Sequence, residues 1–269
     1  MNTNRVIISI IMAAYNAEKT IAQAINSVFY SPRLASHDVG EVSRSDGEVD
    51  FELIVVNDCS KDMTQAIVSE FAEKDHRIKL INNETNLGVS LIRKKALDAA
   101  TGTWIAVLDS DDMWAPNKLE KQLAFAEKTG ADLVFTGSAF MDAEGNLIDW
   151  VQHVPETVSY RELLKQNIIS NSSVLVKRDL YEKFYVVNDS IYNDFAMWLQ
   201  IIKAGYKVCG LDEPLLTYRV SSSSRSGNKV KSAFRTWNTY RYIGLNLIEA
   251  MYFMCWYAVR GILKYRKLG

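Results

Sequence analysis

The chain has 269 residues, 48% hydrophobic and 23% charged, with a formal net charge of −1. This is the balance of a globular protein with room for one large domain or a domain and an appendage. It gives no electrostatic footprint for nucleic acid. The neutral total hides an asymmetry, because residues 229–269 hold eight Lys/Arg against Glu249, a net of +7 that leaves −8 for the rest.

Residues 6–12 form a continuous apolar, β-branched run, the pattern of a strand buried on both faces. The run is too short for a secretory leader and reads better as that strand. Ile21, Ala24, Ile25, Val28 and Phe29 then fall at helical spacing, with Thr20 as the expected N-cap. Residues 31–50 are rich in Ser, Asp, Glu and Gly without an apolar period, and are expected to form a mobile surface insertion. Further on, 53–56, 78–81, 104–108 and 132–136 read as strands. Helices are expected around Ala66, Ile67 and Phe71, over 89–100, and over 119–126 after Pro116. Short buried strands alternating with amphipathic helices predict an α/β fold with a mostly parallel central sheet and helices on both faces.

Beyond Gly137 the pattern loosens. Residues 160–167 look helical and 173–176 extended. Phe195, Trp198, Leu199 and Ile202 mark an amphipathic helix and 215–220 a strand, while 239–268 is helical in composition. Cys59, Cys209 and Cys255 are sparse, odd in number and without metal-ligand spacing, which suits a reducing compartment.

Ligands of open parallel sheets gather outside the carboxyl ends of the strands. Tyr15-Asn16, Asn57-Asp58 and Asp109-Ser110-Asp111-Asp112 all stand at such ends. Asp58 alone reads equally well as a helix cap, and Asp62 reads as one. Three carboxylates in four positions exceed what a cap needs. A hard divalent cation shared with substrate phosphates would relieve their repulsion. No Gly-x-x-x-x-Gly-Lys-Ser/Thr loop and no Gly-x-Gly-x-x-Gly follows a strand, which argues against P-loop ATPases, kinases and dehydrogenases.

Four stretches, SIIMAAYNAEKTI, ELIVVNDCSKDMT, NLGVSLIRKKALDAATGTWIAVLDSDDMW and YNDFAMWLQIIKAGY, resemble in order and spacing the inverting nucleotide-sugar glycosyltransferases of family two, which have the GT-A fold. The resemblance implies a GT-A catalytic domain over 1–228, with 1–137 as nucleotide-binding half and 138–228 as acceptor half. It implies donor contacts from Ala14, Tyr15 and Asn16, with Tyr15 stacking on the base, from Asp58 to the base N–H, and from Arg93, Asp109 and Ser110. Arg93 reads equally as a surface salt bridge. Asp111 would ligate Mn²⁺ or Mg²⁺, and Asp194 would be the catalytic base, although a carboxylate at a helix start is also an ordinary cap. Asn193 stands where the family usually has Glu. The family often continues Tyr-Arg-x-His-x-x-Ser-x-Ser. Here the run is YRVSSSSRS, with Ser221 at the His position and Arg225 as a candidate diphosphate contact. Trp198 reads as core rather than sugar platform.

Residues 229–269 read as a basic amphipathic tail that either lies on an anionic membrane surface or packs on protein, and a homodimer through it stays open. Asn246 and Glu249 interrupt its apolar run and argue against a spanning helix. The partners that the resemblance implies are a UDP-linked nucleotide-sugar donor and a glycan or lipid-linked saccharide acceptor in bacterial surface polysaccharide synthesis. The implied location is the cytosolic face of the inner membrane. A nucleotidyltransferase and a non-catalytic nucleotide-sugar-binding subunit are the rival readings.

Overall fold

The computed structural model describes residues 7–29, 50–220 and 229–265. The insertion read over 31–50 lies outside them apart from Asp50, as do Ser221, Ser224, Arg225, Ser226, Arg266 and Lys267.

The chain opens with β1 (Ile8–Ala14), α1 (Ile21–Phe29), β2 (Phe51–Asn57), α2 (Thr64–Lys74), β3 (Ile78–Asn82), α3 (Val89–Ala99) and β4 (Trp104–Val107). Then come β5 (Met113–Trp114), α4 (Lys118–Thr129), β6 (Leu133–Met141), β7 (Leu147–Gln152), α5 (Tyr160–Lys165), a 3-10 turn (Asn171–Ser173), β8 (Leu175–Lys177) and α6 (Arg178–Phe184). The last elements are α7 (Asn193–Lys203), β9 (Val208–Arg219), α8 (Lys229–Tyr242) and α9 (Leu247–Tyr265).

Among the described residues one sheet runs β3-β2-β1-β4-β8-β6-β9-β5, with β7 on β6. Its first four strands are parallel. From β8 onward it is mixed: β8 is antiparallel to β4 and β6, and β9 is parallel to β6. A parallel neighbour requires a long crossover, whereas β8 arrives from the 3-10 turn beside it and enters in the opposite sense. Because β8 is antiparallel to both its neighbours, β6 runs in the same sense as β1–β4, and the expected mostly parallel order holds through β6 with β8 inserted between.

Strands β1 and β2 are buried on both faces. Ile8, Ile10 and Met12 pack with Ile21, Ala24, Ile25 and Val68 on one side. Ile11 packs with Ile92, Ala96 and Leu97 on the other. Each of the larger side chains here contributes about 1.5–3 kcal/mol on burial, and the two faces explain why these strands lack the one-sided alternation of a solvated sheet. Buried Glu52 pins their start, accepting from Ser9 Oγ (2.6 Å), Thr101 N (2.7 Å) and Lys79 Nζ (2.6 Å). Burial opposes its charge, yet these donors pull its carboxyl down to about 2. Gly102 lies alongside, where a Cβ would come within 2.6 Å of Ser9 N, so only glycine permits this approach.

The expected helix signals fare differently. Thr20 does not cap α1, because its hydroxyl donates back to Ala17 O (3.4 Å). Asp62 does satisfy helix-entry donors, taking Thr64 N and Glu18 N at 3.0 Å. The C-terminal helical segment is two helices, broken at Gly244 (φ +90°). Asn246 and Glu249 form a reciprocal cap on α9: Asn246 N donates to Glu249 Oε2 (3.0 Å) and Glu249 N to Asn246 Oδ1 (2.9 Å). The residues read as interruptions are the start signal of a second helix.

The tail is also no loose appendage. Tyr240 is fully buried and its hydroxyl donates to Leu164 O (2.6 Å), while its ring meets Phe195 edge-on. Thr239 Oγ1 accepts from Tyr192 N at 3.0 Å. One side of α8 and α9 thus belongs to the core that carries α7. No helix among the described residues is long and apolar enough to cross a membrane.

Candidate active site

At the carboxyl ends of β1 and β2 the two following loops are stitched together. Asn16 N donates to Ser60 Oγ (3.0 Å), Lys61 N to Asn16 Oδ1 (2.8 Å) and Ala17 N to Thr64 Oγ1 (2.7 Å). Asn16 holds a left-handed conformation (φ +48°), which asparagine tolerates better than most residues. Ala14 is buried and its carbonyl accepts from Asp58 N (2.8 Å). Tyr15 stands on this ledge 51% exposed, a flat ring offered to solvent at a strand end.

Asp58 is 2% exposed and already occupied. Its Oδ1 accepts from Asn83 Nδ2 (3.0 Å) and Leu87 N (2.9 Å), and its Oδ2 from Gly88 N (2.9 Å). The carboxylate thereby holds the 83–88 loop that leads into α3. A carboxylate has about four acceptor positions, so three bonds leave room for one more donor. Asp58→Ala should strand the amides of Leu87 and Gly88 and cost about 2–3 kcal/mol. Urea unfolding midpoints of wild type, Asp58→Asn and Asp58→Ala would check it, with the asparagine variant in between.

Arg93 comes from α3 and is buried, so the surface salt-bridge reading fails. Its guanidinium donates to Asp109 Oδ1, while its Nε has no hydrogen-bond partner among the described residues. Burial works against the charge, but Asp109, Tyr181, Tyr185 and Asp194 together outweigh it, and the arginine stays firmly protonated. Asp194 is therefore an electrostatic neighbour of the Arg93–Asp109 pair. It sits second in α7, whose N-cap position belongs to Tyr192, so the plain cap reading does not describe it.

The acidic run divides. Asp112 is buried and faces inward, accepting from Ser172 Oγ (2.6 Å) and Arg219 N (3.0 Å). Burial, then the charges of Asp111 and Asp109, push its carboxyl well above the usual range. Asp111, half-buried, is pushed up to about 6, first by burial and then by Asp109. The Arg219 guanidinium reaches the Asp111 backbone oxygen (2.9 Å) and Gln23 Oε1 (2.8 Å), and lends only distant charge to the carboxylate. Ser110, half-buried, lies in the turn between the two outward carboxylates.

The supports of this turn come from far away in the chain. Ser172 Oγ accepts from Asp109 N (3.1 Å) and Trp114 Nε1 donates to Ser172 O (2.7 Å). Neither Ser172 nor Gln23 carries a sequence signal for such a role. Arg219 was visible only as part of YRVSSSSRS.

Trp198 is fully buried, as core. Asn193 is buried too, and its Nδ2 donates to Val186 O (2.7 Å) and Asn188 O (2.9 Å). A glutamate could donate neither bond, so this asparagine fastens the 186–190 loop to α7. In that loop Asp189 accepts from Ser90 N (3.3 Å) beside Gly88, where a Cβ would come within 2.5 Å of Asp189 Oδ2. Gly88 holds φ +84°, and this conformation is what calls for glycine at the junction, since the Asp189 carboxylate can swing aside.

Whether these residues fit a divalent cation turns on the donor set. Among the described residues no group of three or more His, Cys, Asp and Glu converges on one point. Asp111 and Asp109 offer two hard oxygens whose mutual repulsion a cation would relieve, and such ions commonly take the rest of their shell from water and phosphate. The residues fit a cation completed by substrate oxygens.

Residues 9–191 match the family described as Glycosyl transferase family 2. The chain is 34% identical over 259 residues to the putative teichuronic acid biosynthesis glycosyltransferase TuaG of Bacillus subtilis, covering 96% of this chain and 97% of that one. It is 32% identical to the Escherichia coli UDP-Glc:alpha-D-GlcNAc-diphosphoundecaprenol beta-1,3-glucosyltransferase WfgD, covering 96% and 95%. In fold it is similar to S. aureus TarS 1-349 in complex with UDP-GlcNAc (TM-score 0.67, 20% identity, 92% of this chain and 70% of that one). It is also similar to the mannosyltransferase PcManGT from Pyrobaculum calidifontis in complex with GDP-Man and Mn²⁺ (TM-score 0.64, 16% identity, 94% and 69%). The chain belongs to glycosyl transferase family 2 and has the GT-A fold. It is a glycosyltransferase, and the nucleotidyltransferase and non-catalytic readings fall away.

Proposed function

We propose that this family 2 glycosyltransferase moves a sugar from a UDP-sugar to a lipid-linked glycan of bacterial surface polysaccharide, with inversion and with Asp194 as base. The observation that carries the reading is the buried, charged Arg93, paired with Asp109 and in the field of Asp194. It links the donor-side carboxylates to the start of α7. Tyr15 offers its exposed ring to the base, and the remaining acceptor position of Asp58 suits the base N–H. Asp109 and Ser110 flank the ribose. Arg225 remains assigned to the diphosphate from sequence alone.

In the transfer, an acceptor hydroxyl oxygen attacks the anomeric carbon as its proton passes to the Asp194 carboxylate. The bond from that carbon to the phosphate oxygen breaks, and the nucleoside diphosphate leaves from the opposite side. Attack and departure on opposite faces give inversion. Asp111, with Asp109 beside it, would hold a divalent cation, whose chemistry there would be to neutralise charge at the diphosphate. WfgD is named for UDP-Glc and a diphosphoundecaprenol acceptor, and TarS is described with UDP-GlcNAc, which supports the UDP donor and the lipid-linked acceptor. PcManGT with Mn²⁺ supports the metal. An acceptor of this kind supports a location at the cytosolic face of the membrane.

Calorimetric titration of UDP, GDP, ADP and CDP, with Mn²⁺ and then with chelator, tests the reading. UDP should bind at least about tenfold more tightly than the others, a difference of about 1.4 kcal/mol, and only with metal. No binding of any nucleotide under either condition overturns it.

A further inference from the structure

Helix α9 is apolar on two opposite sides, and the domain covers only one. At about 100° per residue, Ala250, Phe253 and Tyr257 fall on one side, and Ala250 and Phe253 are buried in the core. Leu247, Ile248, Met251, Tyr252, Val259 and Ile262 fall on the other. All six are exposed, Ile248 by 77% and Ile262 by 62%. The outward stripe holds no charged residue, because Glu249 and Arg260 turn to its margin. A contiguous apolar face of this length on a soluble surface marks a place where something else binds.

We infer that the outward face of α9 seats the enzyme on an anionic bilayer, lying in the interface with the helix parallel to the membrane. The charges at its edge choose the occupant. Trp256 is exposed on the stripe, with Lys165 Nζ 5.2 Å and the Arg260 guanidinium 6.0 Å from its ring. An indole with cations beside it matches the headgroup level of a membrane. Lys264, Arg266 and Lys267 follow in sequence, and the whole 229–269 segment carries +7. Two copies of such a segment face to face would repel each other, whereas an anionic leaflet attracts it. Glu162 of α5, within the field of Lys165 and Arg260, and Glu249 are the acids beside this margin; they trim the cationic rim without reversing it.

The covered side gives the seating a consequence for the site. Phe195, next to Asp194, packs on Tyr240 of α8 and Tyr257 of α9. The helix that would rest on the lipid therefore also braces the start of α7, which fixes the base relative to the bilayer. This deepens the reading above by naming the membrane as the partner that presents the acceptor, and rests on that reading for the acceptor alone.

The test is co-sedimentation of the full chain with vesicles of zwitterionic lipid carrying about one third anionic lipid, without nucleotide, sugar or metal. It therefore succeeds or fails independently of the chemistry. Wild type should partition into the pellet, less so as salt rises. The triple variant Ile248→Glu, Trp256→Glu, Ile262→Glu should lose at least about tenfold in partition coefficient while keeping its thermal midpoint and UDP affinity. Because these side chains are exposed, folding should be spared, and Ile248→Glu alone should give a smaller loss in the same direction. Equal partition of wild type and triple variant would overturn the inference and leave the basic end as the anchor. Absence of vesicle binding by wild type would overturn it as well. So would a wild-type dimer in sedimentation equilibrium that the triple variant abolishes while vesicle binding persists.

Discussion

Asp194→Asn should abolish transfer, lowering kcat by at least about 10³-fold, with UDP-sugar affinity within about twofold of wild type. The substitution keeps the shape of the side chain and removes its charge and its ability to take a proton. Asp194 stands second in α7, beside buried Phe195, on a helix whose start is held by Tyr192 N on Thr239 Oγ1 and by Asn193 on the 186–190 loop. Those supports do not involve the Asp194 carboxylate, so the backbone there should stay in place. Some loss of field at Arg93 is expected, but Asp109 still holds that guanidinium. Single-turnover kinetics with donor and acceptor, alongside calorimetry of the donor, separate the two effects. Turnover within about tenfold of wild type would remove Asp194 from the role of base.

Asp111→Asn should remove metal-dependent donor binding, weakening UDP affinity in Mn²⁺ by about 10²-fold to the level seen in chelator. At the same time the metal-free protein should gain stability, by about 1 kcal/mol near pH 7. The sign follows from the direction of the shift. The Asp111 carboxyl is raised from its ordinary value to about 6, so its charge is favoured less in the folded chain than in the unfolded one. Ionisation therefore costs stability as pH rises through the window from about 4 to about 6, and that cost persists above it. The gain is set well below the full shift because the side chain keeps some contact with solvent. A variant that melts higher and no longer responds to Mn²⁺ would show a site where binding is obtained against stability. Unchanged UDP affinity in Mn²⁺ would refute the metal assignment.

Much of the donor half was legible because its signals are local. Continuous apolar runs at β1 and β2 required burial on both faces. The polar residues that follow them had to stand at strand ends, where the sheet stops and backbone and side chains turn to solvent. The acceptor half was read less well. β5, β7 and α6 carried no period that separated them from loop, since β7 is only partly buried and β5 is two residues long. β9 was seen only from Leu215, whereas it begins at Val208 and shifts register against β6 around Gly137. A strand with such an irregularity loses the alternation by which strands are recognised.

By itself the sequence determined the family, the alternation of strand and helix through β4, and the residues gathered at the strand ends, because each depends on neighbours within a few positions. Only the tertiary structure decided which carboxylates face outward. Asp111 and Asp112 are adjacent and chemically identical, yet one faces the site while the other is held inside by Ser172, 60 residues away, and by Arg219, 107 residues away. It likewise decided that Asp58 is engaged with its own loop, that Arg93 is buried against Asp109 and in the field of Asp194, and that α9 has a covered side and an open one. Helical periodicity can show that two faces are apolar, but which of them meets the core depends on the shape of the rest of the chain.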